Sequence, residues 1–320
     1  MTVSIITPHK ERSTHKPPPK PALNDRLAQH ALFVAVVAAA IVLSLIGSAT
    51  HLAQDSYLAL VAGRIIAQHG IPHHDFLTVW AHGAKWVDQQ WLAQLLIYEL
   101  QRIGGYALFV VVYVGLTAVA LGMAVLAALR LGGTERGLIR VLPLSTFFFL
   151  VTAVSIRTQG FGYPLFVGTL WLLASEVRTP TERRVYLVFP LLILWANMHG
   201  SVTIGLGVAV LYGLSLLIGG FRSRGTRGLA DRRGLAFVLG PPACLLATPY
   251  GFSIVSYYHS TLLNSEFGKL VTEWRPVTSV MVLAIPFLLL AGVTIWLLGR
   301  SGSKTAGFDH AVLAILASEG

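Results

Sequence analysis

Long apolar runs separated by short polar segments dominate this chain of 320 residues. The first run, Ala31–Ala49, has nineteen residues and can cross a hydrocarbon core of about 30 Å at about 1.5 Å per residue. Further runs follow at about 104–129, 141–156, 161–175, 185–198, 201–219, 235–249 and 279–299. The pattern predicts an all-α, polytopic transmembrane helix bundle of about eight spans.

The polar segment after the first run also shows helical periodicity. Residues 55–69 place Leu58, Val61 and Ile65 on one stripe, which is typical of a helix lying in the membrane interface. The stretch "HGIPHHDF" interrupts this helix with glycine and proline. A second amphipathic helix is predicted at 89–101. We expect both helices to cover a cleft at the outer ends of the bundle, because their apolar stripes would otherwise face water.

Basic residues divide unequally between the two predicted faces. If the N-terminus is cytoplasmic, the inner segments hold 18 of the 24 Lys and Arg residues, and the outer segments hold six. This alternation follows the positive-inside rule. It predicts a disordered, basic cytoplasmic leader at 1–30, a transmembrane domain at 31–299, and a cytoplasmic loop with the start of a ninth apolar segment at 300–320.

Composition agrees with an integral membrane protein. Hydrophobic residues make up 54% of the chain, charged residues 12%, and the mean hydropathy is +0.67. The formal charge of +10 lies in short clusters between apolar runs, where it sets topology, so nucleic-acid binding is not expected. The single cysteine, Cys244, lies in an apolar run and cannot form an intrachain disulfide.

Titratable residues concentrate in the predicted outer segments. Six of the fourteen acidic residues are there: Asp55, Asp75, Asp88, Glu99, Glu266 and Glu273. Seven of the eleven histidines join them: His51, His69, His73, His74, His82, His199 and His259. The inner side carries ordinary topogenic arginine, whereas the outer side carries groups suited to chemistry.

The outer segments resemble those of the C-type multi-spanning glycosyltransferases, specifically the bacterial type that uses polyprenyl-phosphate sugars. The stretch from "DSYLALVAGRIIAQHGIPHHDF" through "WVDQQWL" is similar to the first extracytoplasmic loop of that family. The short motifs "IRTQGF", "LWANMHGS", "TPYG" and "EWRP" resemble further family elements. The loop and these four motifs fall in matching order over about residues 31–280. Leu58, Ala59, Thr158 and Thr248 depart from the family pattern, and the short chain suggests a truncated or divergent member.

The resemblance implies hexosyl or pentosyl transfer from a polyprenyl-phosphate carrier to an unidentified acceptor at the outer face of a bacterial plasma membrane. It implies Asp55 as general base or metal ligand, with Asp75 as the second candidate, and it allows a divalent metal ion. A carboxylate that takes the proton of an acceptor hydroxyl lowers the barrier to transfer. The candidate substrate-binding residues are Arg157, Gln159, Asn197, His199 and Glu273. We expect Asp55, Arg157 and His199 to converge on one outer cavity open to lipid.

Each candidate also has a structural explanation. Asp55 suits a helix N-cap, Asp75 suits a turn, and Arg157 suits a helix end from which its side chain reaches the interface. Asn197 and His199 suit helix capping and interfacial hydrogen bonding, and Glu273 suits a surface ion pair. The adjacent His73 and His74 point to opposite faces of an extended segment, which disfavours a shared zinc site.

Two other classes of protein remain as alternatives. A non-catalytic, glycosyltransferase-like membrane scaffold would explain the departures from the motifs. A transporter would place ionisable residues near the middle of the membrane, whereas the charged residues here cluster at span ends.

Overall fold

The computed structural model describes residues 23–49, 51–52, 54–75, 77–152, 155–181, 183–264, 284–285, 288–294, 296 and 312. Most of them are helical. The α-helices are α1 (Leu23–Ala49), α2 (Gln54–His69), α3 (Trp91–Arg130), α4 (Glu135–Thr152), α5 (Gly162–Arg178), α6 (Val188–Met198), α7 (Val202–Arg224), α8 (Arg232–Leu245) and α9 (Ser253–Leu262). Within the described residues the strands are a two-residue parallel pair, β1 (His51–Leu52) and β2 (Ser155–Ile156). The predicted all-α class is confirmed.

Each of the first seven predicted apolar runs corresponds to a helix or to part of one. In the part of the chain that the structure describes, three segments are long and apolar enough to cross a membrane: Asn24–Gly47, Trp91–Arg130 and Val202–Ala230. These candidate spans support membrane association, while the count of eight and the orientation stay predictions. The predicted eighth run is described only in part and is helical at 288–294.

The predicted end of the leader at residue 30 is wrong for its last eight residues. Helix α1 begins at Leu23, and residues 23–30 are helical. The segment "LNDRLAQH" allows this because it carries good helix formers, and Asp25 lies in the first turn, where a carboxylate interacts favourably with the helix dipole. Residues 1–22 and 300–311 lie outside the described part of the chain.

A kink in α3 joins two segments that the sequence predicted as separate helices. The kink lies at Gly104–Gly105, and Gly105 has a φ of 65°, a conformation that favours glycine. The amphipathic helix predicted at 89–101 therefore begins at Trp91 and continues, through the bend, into the predicted span 104–129.

Helix α2 packs on the first part of α3 through small residues. A Cβ at Gly63 would lie 2.1 Å from the carbonyl oxygen of Gln94, so the two backbones are in close contact. Ala59 and Ala62 are buried at this interface, whereas Leu58 and Val61 are about half exposed. The prediction that α2 lies against the bundle is confirmed. The predicted contact face is wrong, because close helix approach selects small residues.

Contacts between helix ends divide the polar segments into two sets. We call these sets the inner end and the outer end, the names used in the sequence prediction. At the inner end, His30 Nδ1 lies 2.8 Å from Glu135 Oε1, and Glu176 pairs with Arg233. The outer end joins the segments at 54–90, 155–160, 197–201 and 247–260. A buried core lies between the two ends and includes Trp195, Tyr212, Phe237, Leu192 and Ile254.

Candidate functional site

An ion pair between Asp55 and Arg157 marks the outer end. The Asp55 Oδ2 atom lies 3.4 Å from Arg157 Nε, across about one hundred residues of sequence. The side chain of Asp55 is 58% exposed, whereas that of Arg157 is 26% exposed. The pair therefore presents a carboxylate to the surroundings and holds the guanidinium partly beneath it.

Local backbone structure positions this pair. Strand β1 pairs with β2 in parallel, His51 with Ser155 and Leu52 with Ile156. The buried Ser56 hydroxyl then donates a hydrogen bond to the Ile156 carbonyl. These contacts fix the first turn of α2 beside Arg157. Asp55 lies inside that turn, with its carboxylate directed at Arg157, so the ion pair accounts for its position better than an N-cap does.

Contacts with α3 and with the residue that precedes it hold the turn after Arg157 in place. The Tyr113 hydroxyl is hydrogen-bonded to the Arg157 backbone, and the Tyr113 ring occupies the space that a side chain at Gly160 would need. Thr158 Oγ1 donates to Gln90 Oε1 at 2.5 Å. Thr158 thus connects this turn to the start of α3.

The side-chain amide of Asn197 joins segments of the outer end by hydrogen bonds. Its Oδ1 accepts a hydrogen bond from Trp91 Nε1 at 2.9 Å, and its Nδ2 donates to the carbonyl oxygens of Ile193 and Ala247. Three separate segments meet at this amide, which is buried. The contacts match the structural explanation for Asn197.

His199 lies at the same end as the ion pair. Its Nδ1 is 2.9 Å from Ser201 Oγ and accepts the Ser201 backbone N–H at 3.0 Å. The next residue, Gly200, lies close to Gln89, since a Cβ at Gly200 would be 3.4 Å from Gln89 Nε2. The residue after Gln89, Gln90, accepts a hydrogen bond from Thr158, which follows Arg157 in the chain. Asp55 and Arg157 are in contact, as expected, while their convergence on a cavity open to lipid stays a prediction. Contact between His199 and that pair stays a prediction.

Asp75 stabilises the loop that contains it. Its Oδ1 accepts the backbone N–H groups of Leu77 and Thr78 at 2.8 and 3.0 Å, and its Oδ2 accepts the Thr78 hydroxyl. The Thr78 hydroxyl bond is the largest influence that lowers the pKa of Asp75 below its ordinary value, so the carboxylate stays ionised. This geometry is the turn-forming alternative for Asp75.

Asp88 is a buried carboxyl group that the sequence did not single out. It is 4% exposed, and burial raises its pKa from 3.8 to about 6. Its Oδ1 accepts the Gln90 backbone N–H at 3.2 Å, just before α3 begins. A carboxyl with a pKa near neutrality in a cleft is a candidate proton-transfer group. The spacing of Asp88 between Trp86 and Trp91 was the available signal.

An outer cavity of about 650 Å³ lies between the loop at 73–87 and helix α9. Its lining includes the ammonium group of Lys85 and the rings of His73, Trp86 and Tyr257. It also includes the hydroxyl groups of Ser253, Ser256, Ser260 and Thr261. Such a lining offers stacking surfaces and many hydrogen-bond partners to a polar, anionic or sugar-like ligand.

Tyr250 connects the two walls of the outer cavity. Its hydroxyl donates to the Pro72 carbonyl at 2.9 Å, and its ring packs edge-on against His73 at 5.4 Å between centroids. The hydroxyl of the neighbouring Thr248 is buried without a hydrogen-bond partner in the described part of the chain. The "TPYG" segment therefore connects the two walls through its tyrosine and leaves one polar group unsatisfied.

The remaining candidates are Gln159 and Glu273. Gln159 is partly buried in the 3₁₀ turn Thr158–Phe161, and Glu273 lies outside the described residues. Among the residues described, no group of three or more His, Cys, Asp and Glu side chains could hold a metal ion.

Comparison of the chain with protein-family models, with curated proteins and with solved structures gives no match. The fold and the outer-end geometry therefore define a helical protein with candidate membrane spans and a polar outer site.

Proposed function

We propose that this protein is a membrane glycosyltransferase that moves a sugar from a polyprenyl-phosphate carrier to an acceptor at the outer face. The Asp55–Arg157 pair carries the proposal. It combines an exposed carboxylate with a partly buried guanidinium beside the candidate span α1.

The carboxylate of Asp55 and the guanidinium of Arg157 suit the two charge changes that occur in the reaction. An acceptor hydroxyl must lose its proton as it attacks the sugar, and the exposed carboxylate of Asp55 can take it. The departing lipid phosphate needs hydrogen-bond donors or positive charge, which the guanidinium of Arg157 supplies.

The outer cavity supplies room for the sugar or for the acceptor. Its tryptophan and tyrosine rings offer faces for stacking, and its serine and threonine hydroxyls offer hydrogen bonds to sugar hydroxyls. Lys85 adds positive charge suited to an anionic ligand, and His73 and His74 add imidazole nitrogens that can form hydrogen bonds.

The experiment measures release of polyprenyl phosphate, because this product forms whatever the acceptor is. Purified protein is mixed with polyprenyl-phosphate pentose or hexose and a cell-envelope extract, and the lipid product is separated by thin-layer chromatography. Asp55→Asn should lower the rate roughly 100-fold or more, the usual contribution of a general base. Glu99→Gln is the matched control, since Glu99 forms an exposed ion pair with Arg102 at the same end.

Full activity of Asp55→Asn, with folding verified by thermal unfolding, would overturn the proposed role of Asp55. A wild-type protein that neither turns over nor binds any donor would favour the scaffold instead. That alternative draws support from Asp75, Asn197 and Thr158, whose polar atoms are used to hold loops and helices together. Substrate flux through proteoliposomes would identify a transporter.

A further inference from the structure

A second cavity, of about 390 Å³, lies at the inner end of the bundle. It is formed by the end of α3, the last turns of α5 and the segment that connects α5 to α6. Its polar and aromatic lining includes Arg130, Trp171, Ser175, Glu176, Thr179 and Arg184. The proposed outer-face chemistry does not use this cavity.

The one acidic group among these lining residues is already neutralised. Glu176 is 3% exposed, and its Oε1 lies 2.8 Å from Arg233 and accepts the Thr181 backbone N–H at 2.8 Å. Its Oε2 accepts the Thr181 hydroxyl at 2.6 Å. Both carboxylate oxygens therefore have partners within the protein wall, and this carboxylate does not repel an anion in the cavity.

Two arginines then set the charge of the cavity. Arg130 lies over the Trp171 ring, with 5.3 Å between the guanidinium carbon and the ring centroid. Stacking on tryptophan orients a guanidinium while leaving its N–H fork available to an anion. Arg184 enters from the α5–α6 segment, and the Ser175 and Thr179 hydroxyls add neutral donors. Guanidinium forks combined with hydroxyls match the geometry of a phosphate group.

We propose that this inner cavity binds the phosphate of an anionic lipid headgroup. Its volume exceeds that of a phosphate ion, which leaves space for the glycerol part of a headgroup, and Trp171 and Leu172 provide apolar wall. Basic pockets between membrane helices on the cytoplasmic side are typical sites for such headgroups. The site is independent of sugar transfer and would fasten the ends of α3 and α5 to one leaflet.

Ligand titration of the detergent-purified full chain, followed by native mass spectrometry, tests the site. The probes are short-chain phosphatidylglycerol, phosphatidylcholine of equal chain length, and inorganic phosphate. Phosphatidylglycerol should bind the wild type more tightly than either other probe. Arg130→Gln and Arg184→Gln should each weaken it about tenfold, the loss of one charge-assisted hydrogen bond. Arg227→Gln is the matched control, because Arg227 is exposed at the same end and outside the cavity.

Three results would overturn the proposal. Equal binding of the two lipids would remove the requirement for an anionic headgroup. Equal weakening by Arg227→Gln would replace the site with a general effect of surface charge. Inorganic phosphate binding as tightly as phosphatidylglycerol would make free phosphate the ligand. Unfolding temperatures of the variants without lipid, matched to the wild type, exclude misfolding as the cause of any loss.

Discussion

Replacing Asp88 by asparagine should stabilise the protein at neutral pH and leave it almost unchanged in acid. Asp88 is 4% exposed, and loss of hydration is the main cause that raises its pKa. The Gln90 backbone N–H and the Gln94 side chain favour the charged form but do not offset this cost. Asparagine keeps an oxygen acceptor for the Gln90 N–H while removing the charge.

The pKa of Asp88 sets the magnitude and the sign of the expected change in stability. The value rises from 3.8 to about 6, and about two units correspond to about 3 kcal/mol. Because the folded pKa is raised, the folded state retains a proton that the unfolded state has lost between about pH 4 and pH 6. Stability due to this group is therefore complete below about pH 4, falls as pH rises, and is lost above about pH 6.

Thermal unfolding followed by tryptophan fluorescence, in detergent between pH 4 and 8, measures the effect. Asp88→Asn should unfold at a temperature several degrees above the wild type at pH 7.5, and the difference should close near pH 4. Asp231→Asn is the matched control, because Asp231 caps α8 through Gly234 N–H at 2.8 Å and is partly exposed. A gain of equal size at both pH values, or a loss at pH 7.5, would refute the desolvation argument.

Three further predictions concern packing and topology. Gly63→Ala places a methyl group against the Gln94 carbonyl and should cost about 1–3 kcal/mol, so an unchanged unfolding temperature would contradict the close approach of α2 and α3. Glu176→Gln leaves Arg233 without its carboxylate and should cost roughly 3 kcal/mol, and a loss no greater than that of Glu99→Gln would argue against a buried pair. In a Cys244→Ala background, an impermeant maleimide added outside should label Gly83→Cys, whereas selective labelling of Gly225→Cys would reverse the orientation.

Helix locations followed from the sequence because apolar length and charge alternation are local signals. The breaks near 156–161 and 198–201 were visible as short polar interruptions. The structure ends α6 at Met198, and it ends α4 at Thr152, a few residues before the first break. The start of α1 was missed because hydropathy marks the apolar run, whereas helix formation depends on backbone propensity and continues into polar residues.

The contact face of α2 could not be read from hydrophobic periodicity. In water, the large apolar stripe of a helix faces the core, so Leu58 and Val61 were expected to face the bundle. A helix at a membrane interface can leave such side chains to lipid and use small residues for close packing. Gly63, Ala59 and Ala62 do this in α2, which turns the predicted face outward.

Site residues were predictable only where long-range pairing could be inferred from topology. Asp55 and Arg157 each follow an apolar run, so their common end of the bundle was expected, and their ion pair confirms it. Asp88 was not predicted as a site because its elevated pKa comes from burial, which depends on the folding of the whole outer loop. The outer cavity likewise depends on how α9 lies against that loop.

The hydrogen bonds at the outer end divide its polar residues into two kinds, and the division predicts different consequences of mutation. Asn197 and Asp75 use their side-chain atoms to join protein segments, so their replacement should lower stability first and activity only through it. Asp55 is more than half exposed and contacts a single described cation, so its removal should spare stability and affect only reactions at that surface. Stability and turnover measured on the same variants therefore separate residues that build the site from those that act in it.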